Sequence, residues 1–143
     1  MEVKDLPGFQ KHLDKLPLEA PGVVMISGSD PAAADSQIER LRQRLRKEIG
    51  EFETLLFSGE TGDDHRFIEE IANVPLFAPY RLIIVRQAEE LFRVPLQSKS
   101  QHAGYVSAFA QAPQRTAIFL VYSGSAPQKL VKLFQGCGLL HLA

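Results

Sequence analysis

The stretch Gly28-Ser-Asp-Pro-Ala-Ala-Ala-Asp-Ser36 stands where an α/β protein would hold a nucleotide, after an apolar strand-like run and before a helix-like one. A phosphate-cradling loop needs Gly-x-x-x-x-Gly-Lys-Ser/Thr. Its amides surround the phosphates, its lysine neutralises them and its hydroxyl holds magnesium. Here the second glycine and the lysine are missing, and Asp30 and Asp35 would face the anion. A nucleotide-hydrolysing domain also needs acids at the end of a neighbouring strand to hold magnesium and orient water. The corresponding end reads Val85-Arg86-Gln87, with the first acids at Glu89 and Glu90. Two separate parts of an ATP site are absent, and no cofactor is expected.

Other catalytic groups are scattered. His12, His65, His102 and His141 stand singly, and neither His-Glu-x-x-His nor Gly-x-Ser-x-Gly occurs. Asp63-Asp64-His65 has metal-ligating types, but adjacent residues at a helix start diverge, and the helix dipole favours acids there anyway. Cys137 has no basic neighbour in sequence to activate its thiol. No catalytic or metal-ligating residue is assigned.

Two stretches could bind a partner instead. Arg40, Arg44 and Lys47, flanked by Arg42 and Arg46, put five cations on one helix and could follow a phosphate backbone, or simply form a solvated face. No aromatic stacking platform accompanies them, so little specific DNA affinity is expected. The second stretch is Val74-Pro75-Leu76-Phe77, closed by Pro79. Its prolines fix φ, withhold amides and push the preceding residues away from helix, which predicts an irregular turn. Leu76 and Phe77 either anchor a partner or fold back as core.

The elements positioning these residues alternate. A lead-in helix within residues 1–20 carries Phe9, Leu13 and Leu16, and Gly22 to Gly28 is a strand buried on both faces. A helix capped by Asp30 with Pro31 at N1 carries Ile38, Leu41, Leu45 and Ile49 to a stop at Gly50. Strand 52–58 leads to a helix capped by Asp63 or Asp64, with Phe67, Ile68 and Ile71 inward, and the third strand is Leu82 to Val85. Arg93 to His102 lacks periodicity and predicts a mobile loop, followed by a helix around Tyr105, Val106 and Phe109. Strand Thr116 to Tyr122, a helix from Pro127 with Leu130, Val131 and Phe134 inward, and strand Leu139 to Leu142 complete the chain. The expected fold is α/β: five mostly parallel strands with helices on both faces.

Composition sets outer bounds. The 143 residues, 45% hydrophobic, fit one domain, and 16 basic against 17 acidic residues give a net charge of −1 with no global pull toward nucleic acid or membrane. A single cysteine excludes an intrachain disulfide, and a reduced cytoplasmic setting, away from any membrane, is expected.

In its order of segments the chain resembles the N-terminal domain of the delta subunit of bacterial DNA polymerase III. The resemblance rests on Leu55-Leu-Phe-Ser-Gly-Glu60, Val74-Pro-Leu-Phe-Ala78, Arg81-Leu-Ile-Ile-Val-Arg-Gln-Ala-Glu-Glu-Leu91 and Thr116-Ala-Ile-Phe-Leu-Val-Tyr122. It implies an AAA+ fold, related to P-loop NTPases, without a working ATP site. It also implies a non-catalytic clamp-loader subunit of a larger polymerase assembly, whose apolar pair, mapping to Leu76 and Phe77 beside Val74 and Pro75, binds the sliding clamp (the beta subunit). Clamp-binding motifs commonly begin with glutamine, where this chain has Ala72. The lid and collar domains of such proteins are missing from these 143 residues, which look like an excised domain or a truncated relative. Contacts with the gamma/tau and delta prime subunits would lie in those domains, and contact with primed DNA would be indirect. The alternatives are a P-loop-like nucleotide-binding enzyme and a basic-helix nucleic-acid-binding module.

Overall fold

The computed structural model describes residues 2–19, 22–28, 31–59, 64–72, 79–97, 114–135 and 139–142. Its elements are β1 (Glu2–Val3), α1 (Leu6–Asp14), β2 (Gly22–Gly28), α2 (Pro31–Glu48), β3 (Glu53–Ser58), α3 (Asp64–Ala72), β4 (Arg81–Arg86), α4 (Ala88–Gln97), β5 (Thr116–Ser123), α5 (Gln128–Gln135) and β6 (Leu139–Leu142). The strands form one sheet in the order β1-β6-β2-β5-β4-β3, and every pair is parallel. Apolar strands of this kind need cover on both faces, and the chain supplies it by winding helices over each.

Alternation along the strands sorts the core into two layers. Val24, Ile26, Leu82, Ile84, Ala117 and Phe119 face α1 and α2, where Phe9, Leu13, Ile38, Leu41 and Leu45 are buried. Val23, Met25, Ile83, Val85, Ile118 and Leu120 face α3, α4 and α5, meeting Phe67, Ile71, Phe92 and Phe134. Crossed rings, Phe57 on Phe67 at 5.5 Å and Phe92 on Phe134 at 5.2 Å, fill the second layer.

Two expectations need correction. The sheet has six strands rather than five: Glu2–Val3 pairs with β6 before α1 begins. Asp5 then caps α1, accepting a hydrogen bond from the Gly8 amide at 2.9 Å. Residues 93–97 belong to α4 instead of a loop. Burial of Ala88, Leu91 and Phe92 nucleates that helix, after which each further turn is cheap and Pro95 forfeits one hydrogen bond. β3 is a half-exposed edge with Leu56 64% exposed, and among the described residues no helix covers that end of the sheet on the α2 side. The expected helix around Tyr105 to Phe109, the caps Asp30 and Asp63, and Cys137 lie outside the described residues.

Candidate functional site

At the carboxyl edge, where parallel sheets bind ligands, β2 ends at Gly28, β5 at Ser123 and Gly124, β4 at Arg86 and Gln87, and β3 at Ser58 and Gly59. The protein's own groups stitch this edge together. The Gly124 amide donates to the Gly28 carbonyl at 3.0 Å, and the Ser123 amide donates to Glu89 Oε2 at 3.0 Å. Ser58 Oγ donates to Gln87 Oε1 at 3.1 Å. Arg86 Nη2 pairs with Asp35 Oδ1 of α2 at 2.7 Å. The charges are thus reversed from what a magnesium nucleotide needs, with the cation at the end of β4 and the anion on the helix that follows β2. Among the described residues no group of three or more His, Cys, Asp or Glu side chains is arranged to hold a metal.

One pair at this edge has nucleophilic chemistry to consider. Ser27 Oγ lies 2.8 Å from His141 Nε2 in the wall of a cavity of about 250 Å³. Burial pushes the His141 imidazole below the ordinary histidine value, with Glu2 opposing, so it is neutral at neutral pH. Its Nδ1 has no hydrogen-bond partner among the described residues, and a serine–histidine pair without a third group orienting the ring lacks the arrangement that activates the hydroxyl. The pair reads as packing between β2 and β6.

At the opposite, amino edge stand the two ends of the apolar segment. Val74, Pro75, Leu76 and Phe77 lie outside the described residues, but the chain leaves α3 at Ala72 and returns at Pro79. The return is fixed firmly. Tyr80 is fully buried, its carbonyl accepts from the Glu53 amide at 2.9 Å, and the Arg81 amide donates to the Arg115 carbonyl at 3.0 Å. Burial pushes the Tyr80 hydroxyl up to about 12. Arg81, only 2% exposed, donates from Nη2 to the Ile71 carbonyl at 3.2 Å, and its Nη1 lies 3.9 Å from Glu70 Oε2. Sequence reasoning passed over Arg81, although the signal was there: a cation in register with Ile83 and Val85 on a buried strand has to find partners.

The cations of α2 divide by what they touch. Arg40 makes a two-point contact with Asp14, Nε to Oδ1 at 2.9 Å and Nη2 to Oδ2 at 2.6 Å, and that hydrogen bonding holds the Asp14 carboxyl below its usual range against the opposing effect of desolvation. Arg44 pairs with Glu48 and donates at 2.9 Å to the Leu13 carbonyl at the end of α1, which also accepts from the Leu16 amide at 3.3 Å. Arg46 reaches Glu39 at 3.3 Å, and Lys47 is exposed. Arg40 and Arg44 therefore join α1 to α2, which leaves them less free to meet phosphates.

Residues 25–140 match the sequence profile of the family DNA polymerase III, delta subunit. The chain belongs to that family. This delta-family chain is also similar to the solved Bacillus subtilis DNA clamp loader delta protein (YqeN), with a TM-score of 0.68 and 18% identity. The match covers 94% of this chain and 41% of that protein, so the delta-family chain spans well under half the length of its structural relative. No curated protein matches it. At that identity the likeness speaks for the fold, a doubly wound parallel sheet. Among the described residues no helix of this family member is long and apolar enough to cross a membrane.

Proposed function

We propose that this chain is the clamp-binding domain of a clamp-loader delta subunit, and that Leu76 and Phe77, with Val74 and Pro75 beside them, insert into an apolar pocket on the sliding clamp, the beta subunit. The observation carrying this reading is the delta-subunit family match, which runs through the segment and both of its ends. Two features support it. The stem of the segment is welded to the sheet at Tyr80 and Arg81, and a prefixed stem lowers the ordering cost of binding. The carboxyl edge is stitched by Arg86–Asp35 and Gly124–Gly28, as suits a subunit whose energy comes from ATP bound elsewhere in the loader.

In this reading the domain acts as a wrench in DNA replication in the bacterial cytoplasm. It favours an open clamp only by the difference between its affinities for the open and closed forms. The gamma/tau and delta prime subunits are reached through domains beyond these residues, and primed DNA indirectly.

The test is Leu76→Ala with Phe77→Ala, titrated against the clamp of the source organism. Loss of an anchor of this type should weaken binding by about 2–4 kcal/mol or more while the melting temperature barely moves. If the two side chains are core, the same variant should lose roughly 5 kcal/mol of folding stability, and a collapsed melting transition overturns the anchor assignment.

A further inference from the structure

We propose that Arg81 is the positioning residue of the clamp-binding segment, its buried guanidinium stapling the last turn of α3 to the first residue of β4 and so fixing both ends of residues 73–78. This inference rests on the reading of Leu76 and Phe77 as the anchor.

Arg81 begins β4 on the face that carries Ile83 and Val85, and those two pack with Phe67 and Ile71 of α3. The side chain therefore emerges beneath the end of α3. There its Nη2 takes the Ile71 carbonyl at 3.2 Å, and Nη1 faces Glu70 at 3.9 Å. The last carbonyls of a helix lack intrahelical donors, and a cation suits the negative end of the dipole. Packing alone would not select arginine here. A methionine or leucine would fill an apolar face without the cost of taking a guanidinium out of water, a cost visible in the downward push that burial exerts on Arg81, opposed by Glu70 and Glu53. Aliphatic side chains, however, cannot bond two elements together. The guanidinium fork can, with a fixed geometry that lysine lacks. The two elements that it joins are those from which the segment departs and to which it returns, one through Ile71 and Ala72 and the other through Pro79 and Tyr80. A segment with tethered ends starts closer to its bound form, and that advantage should appear as affinity.

The experiment compares Arg81→Met and Arg81→Lys with the parent 143-residue chain, measuring melting temperature, backbone hydrogen exchange and clamp affinity. Arg81→Met should keep a cooperative melt near that of the parent, speed exchange at the end of α3 while leaving β5 unchanged, and weaken clamp binding by ~10-fold or more. Arg81→Lys should fall between the two. Added to Leu76→Ala/Phe77→Ala, Arg81→Met should cost little further affinity, because Arg81 acts through that pair.

The proposal is overturned if Arg81→Met leaves both local exchange and affinity at parental values, or if its loss adds in full to that of the double variant. Should Arg81→Met fail to fold, Arg81→Lys carries the same comparison, and parental exchange and affinity in that variant overturn the staple. If the parent chain binds no clamp, the functional reading falls by itself. The exchange measurement then still decides whether Arg81 ties α3 to β4, and unchanged exchange refutes it.

Discussion

Gly59→Ala tests the sealed carboxyl edge most directly. A methyl group built on Gly59 would stand 2.1 Å from the Gln87 carbonyl oxygen and 2.8 Å from the Leu91 amide nitrogen, whereas ordinary contacts begin near 3.4 Å. Both neighbours are backbone at the start of α4, so no side chain can swing aside, and β3 and α4 must separate by more than an ångström. That separation strains Gln87, which already holds φ at 52°, pulls on the Ser58–Gln87 hydrogen bond and frays the end of the ladder at Ser58↔Arg86. Overpacking costs about 1–3 kcal/mol and a lost hydrogen bond about 1 more, so a loss of about 3 kcal/mol is expected, roughly 10 °C in melting temperature for a chain of this size. The assay is thermal and urea unfolding followed by circular dichroism, with Gly50→Ala as the comparison. Gly50 has a φ of 98° with nothing within 4 Å of the added carbon, so its variant carries only backbone strain, about 1–2 kcal/mol. A Gly59→Ala shift no larger than that of Gly50→Ala would refute the close approach and with it the stitched edge.

Two further outcomes follow from the same geometry. Titration of the chain with Mg-ATP should give no saturable heat, because Arg86 and Asp35 pair where metal-binding acids would be needed, and micromolar binding would reinstate a nucleotide enzyme. His141 is held neutral in the fold below its ordinary value of 6.5, so the unfolded chain takes up the proton first. Its contribution to stability is therefore level above pH 6.5 and is lost as the pH falls below it, until the native imidazole protonates. Urea unfolding between pH 7.5 and 5 should show this decline, and His141→Gln should flatten it. An unchanged slope in that variant would assign the decline to other groups.

Local pattern was enough to place most elements, because apolar runs and helical spacing are properties of neighbouring residues. The continuous runs of β2, β4 and β5, the stripe Ile38-Leu41-Leu45 on α2 and the proline before α5 all lie where periodicity and punctuation put them. The missing lysine after Gly28 and the cation at the end of β4 were equally plain, since an absent residue type needs no fold to be noticed. What sequence could not supply depends on pairing between distant residues. Glu2–Val3 is too short for any period and is a strand only because His141 and Leu142 lie beside it. Arg40 and Arg44 read as a solvated or a phosphate-following face until Asp14 and the Leu13 carbonyl, some thirty positions earlier, are brought against them. Arg81 looks like the polar end of an apolar strand until the last turn of α3 is laid over it and offers a carbonyl. Residue types and spacing determined which catalytic motifs this sequence lacks, while tertiary packing decided which charges are spent on holding it together, because a cation's role is set by the partner within hydrogen-bond reach.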